Sequence, residues 1–343
     1  MTTAARPRSF GGCDYLGLAR HGRVLEAAVE ALRRQGLGLG ASPATTGLRE
    51  EHRELERELA AFLGCEEAAL LPSGAVANLA AAGALAAAAG EASTGDPPSA
   101  WVDPRAHPSL RRALRAAGFA AARSPSGARV CAVDGVYPSL GQAPDLHALG
   151  RELGPGGALL VDDAHGFGVL GPEGRGSVAA QPGASDAPVL QTLPFSKALG
   201  GGGAAVAGPA ALIEHVRNGD AYVGSTALAP ALTAGARAAL RVLREEPEHL
   251  ARLHSHVEVV HGALRRAGLA APALAFPAFA LHPREGDSSA ALRARLLADG
   301  VDVPLIRYPG GAADGWLRLA LSAAHSDDDV RLLAEALERH LAH

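Results

Sequence analysis

The sequence contains a single lysine, Lys197, although lysine and arginine together number 32. Arginine stays protonated at accessible pH, whereas a lysine amine can lose its proton and attack a carbonyl carbon. A composition that uses arginine at its other basic positions therefore indicates that Lys197 does what a guanidinium cannot do. Schiff-base formation is the leading hypothesis, and chance survival or a phosphate contact are the alternatives. Glycines follow at 200–203, where they would let the backbone approach a flat ligand closely.

Other residues have the types that a Schiff base with pyridoxal 5'-phosphate requires. The ring nitrogen of that cofactor needs a carboxylate to keep it protonated. Asp162 ends a predicted strand, at the edge where open α/β sheets bind ligands, and His165 follows three residues later, within reach of the phenolic oxygen. Ser73 and Gly74 begin a predicted helix, where backbone N–H groups bind phosphate. Each of these signals alone is also compatible with an ordinary loop or turn.

A competing pattern lies in the same region. Residues 166–171 match G-x-G-x-x-G, the dinucleotide-binding pattern. Pro172, Gly174 and Gly176 follow where a helix should begin, and two aspartates precede the loop where pyrophosphate would lie. The context therefore disfavours a nicotinamide cofactor.

The histidines and cysteines do not have the spacing of a metal site. Cys13, Cys65 and Cys131 are odd in number and far apart, which suits buried or free cysteines in a reducing compartment. No two histidines of the predicted helix 248–265 are four residues apart, as in a helical zinc pair. We expect no metal, and we expect these histidines to be solvated: His249, His254, His256 and His261.

Hydrophobic periodicity predicts the elements that hold these residues. Short apolar strands alternate with helices from about 65 to 230, as in a mostly parallel, doubly wound α/β sheet, and a smaller α+β unit follows. The expected helices are 22–35, 50–63, one that ends near 89, 248–265 and one that Ser326 caps; the expected strands are 68–71, 158–161, near 274–281 and 316–321. The first helix carries an apolar stripe of Leu25, Ala28, Val29 and Leu32. The expected domains are an N-terminal arm and helix (1–40), a large cofactor-binding domain (41–240) and a small C-terminal domain (241–343).

Composition excludes several classes of partner. The net charge of -4, with both signs interspersed, provides no basic face for nucleic acid. No apolar run approaches the roughly 20 residues of a membrane span, and the first residues lack the apolar core of a leader peptide. We expect a cytoplasmic protein that binds neither nucleic acid nor a membrane.

In several segments the sequence resembles the α-oxoamine synthase family of fold-type I pyridoxal-phosphate enzymes, and the likeness covers nearly the whole chain. The segment 14–18 resembles N-D-Y-L-G-L, and Thr46-Gly47 with His52, Leu55 and Glu56 matches S-G…H-x-x-L-E. Residues 162–166 with 174–176 resemble D-D-A-H-G…G-R-G, which is a specific pattern. Residues 317–325 resemble the R-L…T-A-A-H segment of the family. The resemblance implies an aspartate aminotransferase-like fold and pyridoxal 5'-phosphate as cofactor.

The resemblance also implies a role for individual residues. Lys197 would bind the cofactor as a Schiff base, Asp162 would pair with the pyridine nitrogen, His165 with the phenolic oxygen, and His107 would stack on the ring. The other expected cofactor residues are Ser73, Gly74, Ala75, Asp134, Thr192, Ser196, Ser225 and Thr226, of which Ser225 and Thr226 meet the phosphate of a partner subunit. Arg318 would hold the carboxylate of the amino acid, with Cys13 and Tyr15 also at the substrate. Because Leu317, Leu319 and Leu321 would face the core, Arg318 would point to the opposite side.

The chain departs from the family pattern mainly where substrates are recognised. Pro194 stands where the family has a phosphate-binding threonine, and proline has no N–H donor; Thr192 is a possible substitute. Cys13 replaces an asparagine that helps to hold the substrate carboxylate. Residues 138–141 replace S-M-D/E-G. The pattern suggests changed substrates with the cofactor retained.

The resemblance implies an acyltransferase that condenses an α-amino acid with an acyl thioester, of CoA or a carrier protein, in a biosynthetic pathway. Another pyridoxal-phosphate reaction of an amino acid is the first alternative: aldol-type cleavage, decarboxylation, racemisation or transamination. A non-catalytic partner subunit is the second, although such subunits characteristically lose the lysine that this chain keeps. A homodimer with a shared active site is expected.

Overall fold

The computed structural model describes residues 6–91, 97–154, 156–183, 187–284, 286–307 and 314–342. The chain divides into two compact units. The larger unit contains Leu18–Val136 and Ala143–Glu246. The smaller unit contains the residues up to Gly17, the segment Tyr137–Gln142 and the residues from Pro247 onward.

The secondary structure is named in chain order. The strands are β1 (Arg8–Ser9), β2 (Glu67–Leu71), β3 (Ser99–Val102), β4 (Ala120–Ala121), β5 (Val130–Asp134), β6 (Ala158–Asp162), β7 (Val189–Pro194), β8 (Ala204–Gly208), β9 (Ala278–Leu281), β10 (Val301–Asp302), β11 (Leu305–Ile306) and β12 (Trp316–Ala320). The α-helices are α1 (Gly22–Gln35), α2 (Glu50–Leu63), α3 (Gly74–Glu91), α4 (Pro108–Ala116), α5 (Leu146–Glu152), α6 (Ala210–Asn218), α7 (Asp220–Val223), α8 (Pro230–Glu245), α9 (Glu248–Arg266), α10 (Ser289–Ala298) and α11 (Asp327–Leu341).

The larger unit is built on a sheet that has seven strands among the described residues, in the order β2-β8-β7-β6-β5-β3-β4. Strands β4, β3, β5, β6 and β7 are parallel, whereas β8 runs antiparallel to both of its neighbours. The central strands β5 and β6 are buried along their whole length, as expected for strands with helices on both faces. The predicted mostly parallel, doubly wound sheet is confirmed.

Helix α1 begins and ends where the sequence predicts, but its apolar stripe is not buried. The exposed fractions of Leu25, Val29 and Leu32 are 47%, 42% and 40%, whereas Val24 and Ala31 are buried. Helix α2 also has its predicted bounds, and Gly64 follows it with a φ of 73°, a left-handed conformation that favours glycine.

The smaller unit contains a three-stranded antiparallel sheet in the order β11-β12-β9 and a short parallel pair of β1 with β10. Leu317 and Leu319 of β12 are buried, and Arg318 between them is half-buried on the other face, as the alternation predicts. Helix α11 begins with the predicted capping box, in which Ser326 and Asp329 bond to each other's backbone N–H groups.

Among the helices in the described part of the chain, none combines the length and the apolar character needed to cross a membrane.

Candidate active site

Three neighbouring strands of the larger unit carry the predicted chemistry to one edge of the sheet. The residues at the carboxyl ends of these parallel strands are paired: Asp134 of β5 lies opposite Asp162 of β6, and Asp162 lies opposite Thr192 of β7. Lys197 follows the last residue of β7 by three positions. We call this edge, with Asp134, Asp162 and Lys197, the carboxyl edge. Open α/β sheets bind ligands at such a position.

Electrostatics at the carboxyl edge favour a positive charge. Asp134 and Asp162 are both buried, at 9% and 6% exposure. Burial, and next the charge of Asp162, raise the pKa of Asp134 to about 8, against the opposing effects of the His107 backbone N–H and the Lys197 charge. Because a second ionised carboxylate is unfavourable in this desolvated site, a positive charge at the edge opposes the rise in the pKa of Asp134, as the charge of Lys197 does.

His107 is held at the start of α4 by Asp134. Its backbone N–H donates to both carboxylate oxygens of Asp134, each at 3.0 Å. Its ring Nδ1 lies 2.7 Å from the Ser109 hydroxyl oxygen, and the Ser109 N–H donates to Nδ1 at 3.3 Å, so the imidazole caps the helix. Both bonds restrict the rotation of the ring that the family resemblance assigns to cofactor stacking.

The predicted phosphate turn begins helix α3. Ser73 and Ala75 are exposed, and the Val76 N–H lies 3.4 Å from the Ser73 hydroxyl oxygen. The first turn of a helix of this length presents unbonded N–H groups, which suit a phosphate. A Cβ added at Gly74 would lie 2.5 Å from Cγ of Pro194, so only glycine fits here. Pro194 therefore packs against the turn instead of donating to it.

Thr192 does not behave as a substitute for the missing phosphate-binding threonine. It is fully buried, and its hydroxyl donates to Oδ1 of Asn78 at 2.7 Å. The Asn78 amide in turn donates to Oδ2 of Asp162 at 2.8 Å. The expectation that Thr192 meets the phosphate is thus corrected, because its hydroxyl points into a buried bond behind Asp162. The role of Asn78 was missed, since an asparagine inside an alanine-rich helix has no motif that marks it.

The loop after Asp162 explains the glycines of the dinucleotide-like pattern. Asp163 is fully buried and accepts the Ser177 N–H at 2.9 Å, and burial raises its pKa to about 6. A Cβ added at Gly166 would lie 2.1 Å from the Asp163 carboxylate. The segment then enters a short 3-10 helix at Pro172–Gly174, not the α-helix that a dinucleotide site requires. Glycine at 166 makes room for a buried carboxylate and not for pyrophosphate.

The remaining predicted cofactor residues lie in the larger unit with different exposures. His165 is half-buried, and Ser196 and Thr226 are exposed. The Ser225 hydroxyl donates to the Ala221 carbonyl oxygen at 2.6 Å.

The predicted substrate residues come together inside the smaller unit. One guanidinium nitrogen of Arg318 lies 3.3 Å from Sγ of Cys13 and 3.4 Å from the hydroxyl oxygen of Tyr15. Tyr15 is fully buried, and burial raises the pKa of its hydroxyl, with the charge of Arg318 acting in the opposite direction. We call these three residues the Arg318 group. A guanidinium carries five N–H donors, so Arg318 can contact Cys13 and Tyr15 and also bind a carboxylate.

The expectation that the histidines of helix α9 are solvated is wrong for two of them. His256 and His261 are buried at 2% and 3% exposure. His256 Nδ1 lies 3.1 Å from the Ser322 carbonyl oxygen, and the His261 ring packs edge-on against Phe279. Burial lowers the pKa of His261, so the neutral ring serves as core.

The residues at the carboxyl edge fit pyridoxal 5'-phosphate. The buried Asp162, held by the Asn78 amide and the Ala164 N–H, suits a protonated ring nitrogen, and the turn at Gly74 suits its phosphate. Lys197 provides an amine at the same edge.

Known proteins resemble the chain over most of its length. A profile of the aminotransferase class I and II family matches residues 9–144 and 128–337. The 8-amino-7-oxononanoate synthase of Xylella fastidiosa (strain M12) is 36% identical over 348 residues, which cover 96% of this chain and 85% of that protein. The 8-amino-7-oxononanoate synthase of Halorhodospira halophila (strain DSM 244 / SL1) is 38% identical over 346 residues, with coverage of 96% and 84%. A high-resolution structure of SPT (serine palmitoyltransferase) with the PLP internal aldimine has a TM-score of 0.85 at 25% identity and covers 97% of this chain and 87% of that one.

Proposed function

The chain belongs to the aminotransferase class I and II family, and from that premise we propose that it is a pyridoxal-phosphate-dependent α-oxoamine synthase. It condenses an α-amino acid with an acyl thioester, so that the α-carbon gains the acyl group, the thiol leaves and carbon dioxide is lost. The expected fold-type I architecture is confirmed by the similarity to solved structures. The observation that carries the proposal is the carboxyl edge, where Asp134 and Asp162 are paired and the charge of Lys197 acts on Asp134.

The cofactor supplies an electron sink for a carbanion at the α-carbon of the amino acid. Lys197 would hold the cofactor through Nζ, and its amine would serve as the general base for the α-proton of the amino acid. Asp162 would keep the ring nitrogen protonated. His107 would stack on the ring, and His165 would bond to its phenolic oxygen. Burial of Asp162 excludes water that would weaken these charges.

The phosphate is held by the backbone N–H groups of Ser73, Gly74 and Ala75 at the start of α3. The position at a helix N-terminus and the exposure of Ser73 and Ala75 support this role. Ser196 directly precedes Lys197 and is also exposed. We assign it to the same cofactor site.

The protein is a homodimer in which Ser225 and Thr226 of one subunit meet the phosphate of the other. The exposed stripe of Leu25, Val29 and Leu32 on α1 supports an interface, because an apolar face of this kind is costly in water. Light scattering should report a dimer, and Val29→Glu should give a monomer with weaker cofactor binding. A wild-type monomer that retains the cofactor would contradict the shared site.

The amino acid is held by the Arg318 group. Its guanidinium binds the carboxylate, while Cys13 and Tyr15 shape the pocket around it. Because Cys13 offers no amide donor, we infer that the preferred amino acid differs from that of relatives with asparagine at this position.

Product analysis tests the reaction. The protein, loaded with pyridoxal phosphate, is incubated with a panel of α-amino acids, each with and without an acyl thioester. We expect thiol release and a new amino ketone only when both substrates are present. Carbon dioxide release or amino transfer that ignores the thioester would contradict the proposal and favour another reaction of the same cofactor.

A further inference from the structure

We propose that Asn78 is a positioning residue that holds Asp162 and His107 in place together, and this inference rests on the proposed function. Asn78 lies one turn into helix α3, at 1% exposure. Its side chain bonds to residues from three other elements of the larger unit. Through Ser109, this buried amide links Asp162 to His107.

The bonds of Asn78 leave its amide a single orientation. Its Oδ1 accepts the hydroxyl of Thr192 at 2.7 Å. Its Nδ2 donates to Oδ2 of Asp162 at 2.8 Å and to the Ser109 hydroxyl oxygen at 2.9 Å. Both amide hydrogens and the carbonyl are therefore used, and an ionised Asp162 can only accept, so the flipped amide would place two acceptors together.

The same bonds set the direction of hydrogen-bond donation, from Asn78 to Ser109 and from Ser109 to His107. Because the Ser109 oxygen accepts from Asn78, its own hydrogen is available to Nδ1 of His107, 2.7 Å away. The Ser109 N–H also points to Nδ1. Nδ1 is then the acceptor, and the hydrogen of the neutral imidazole lies on Nε2.

On the other side of the Asn78 amide, Asp162 can still accept a hydrogen bond from the cofactor. Asn78 donates to Oδ2 and the Ala164 N–H donates to Oδ1 at 3.2 Å. A carboxylate accepts about four hydrogen bonds, so these two bonds fix its plane and still leave lone pairs for a ring N–H. Thr192 contributes indirectly, by holding the Asn78 carbonyl.

Substitutions of this network test the inference. Asn78→Leu removes the amide at similar size, and Thr192→Val removes only the hydroxyl at the same shape. Thr192→Ser restores a hydroxyl, and Gln191→Leu removes a neighbouring buried amide whose side chain alternates to the other face of β7. Circular dichroism and thermal melting of each cofactor-free variant show whether it is folded.

The readouts are the dissociation constant of pyridoxal phosphate, titrated into cofactor-free protein, and the pH midpoint of the visible absorbance of the bound cofactor. We expect Asn78→Leu to raise this dissociation constant at least about tenfold, because a hydrogen bond to a charged group is lost. The midpoint should move to higher pH, because a less firmly protonated ring withdraws less charge from the bond to Lys197. Thr192→Val should act in the same direction with a smaller effect, which Thr192→Ser reverses.

A folded Asn78→Leu or Thr192→Val protein with the wild-type constant and midpoint would overturn the inference and leave the proposed function intact. A shift of equal size in Gln191→Leu would also overturn it, because any buried amide would then suffice. If Asn78→Leu does not fold, the comparison of Thr192→Val with Thr192→Ser tests the inference. A wild-type protein that shows no visible absorbance with the cofactor would instead overturn the proposed function.

Discussion

The carboxyl edge of the larger unit and the Arg318 group of the smaller unit are both polar and at least partly buried. They differ in the hydrogen bonds that hold their side chains. At the carboxyl edge, Asp162 accepts from a buried amide and a backbone N–H, and Asp134 accepts from the His107 backbone. In the Arg318 group, one guanidinium nitrogen lies 3.3 Å from a thiol sulfur and 3.4 Å from a phenol oxygen.

The difference separates a rigid site from an adaptable one. Charge-assisted bonds between buried groups fix geometry, whereas a thiol is a weak acceptor that imposes little direction. We infer that the carboxyl edge is committed to one cofactor and that the Arg318 group is where substrate preference changed. Substitutions in the two regions should accordingly affect different measured quantities.

Lys197→Ala should have the largest effect. Loss of the amine removes both the covalent anchor and the general base, and a positioned base alone contributes about 10²–10⁴-fold to a rate. We expect product formation to fall at least 10³-fold and the visible absorbance of the cofactor to change. Lys197→Arg is the matched control, since it keeps the charge and should be equally inactive; activity in either variant would refute the role of Lys197.

Asp134 should make the stability of the cofactor-free protein depend on pH. Its pKa is raised from 3.8 to about 8 by folding, so the folded state favours the protonated carboxyl. This contribution is complete below about pH 4 and is lost as the pH rises to about 8. Asp134→Asn should therefore be more stable than wild type at pH 8.5, on the order of a few kcal/mol, and nearly equal to it at pH 4.

Urea unfolding of both proteins across this range measures the difference. Comparing the variant with wild type cancels the contributions of the buried His52 and His261 and the half-buried His325, whose lowered pKa values change stability in the opposite direction. Parallel stability curves for the two proteins would mean that Asp134 titrates normally.

Arg318→Ala should raise KM for the amino acid about 10- to 100-fold, the loss of a charge-assisted pair. Cofactor affinity should be unchanged. Arg318→Lys keeps the positive charge but not the paired N–H donors of the guanidinium. Its KM should lie between those of the wild type and Arg318→Ala. If either variant loses the cofactor, the two regions are not independent and the comparison fails.

Cys13→Asn should have the smallest effect. An amide donor beside Arg318 adds one hydrogen bond to a bound carboxylate, which corresponds to roughly a 2- to 10-fold lower KM for some amino acids. Kinetics with a panel of amino acids should show a change in rank order. Cys13→Ser, which provides a shorter donor, is the control, and an unchanged rank order in both variants would show that Cys13 does not set the preference.

The features that the sequence predicted and the structure confirms are visible locally: Asp162 ends a strand, and Ser326 caps a helix. Lys197 stands out by composition, and its role stays a prediction. The positions of the cofactor residues follow once the strands are recognised, because parallel strands end at a common edge. Their roles toward cofactor and substrate remain proposals.

The residues that were misread depend on neighbours distant in sequence. His256 and His261 resemble the solvated histidines around them, but they lie under Ser322 and Phe279. The periodicity of α1 predicted its bounds but made no prediction of which face is buried: Leu25 of the stripe is nearly half exposed, whereas Val24 and Ala31 are buried. Periodicity predicts that one face is apolar but not which face the fold covers.

By itself, the sequence determined the α/β architecture and the candidate chemistry, because strand and helix periods and the reactivity of a lone amine are properties of short segments. The tertiary structure decided the environment of each group. The pKa of Asp134 is raised first by burial and next by Asp162 on the neighbouring strand, and Asn78 bonds to three residues, Thr192, Ser109 and Asp162, that are far from it in sequence. Desolvation and hydrogen-bond partners are set by packing between segments far apart in the chain.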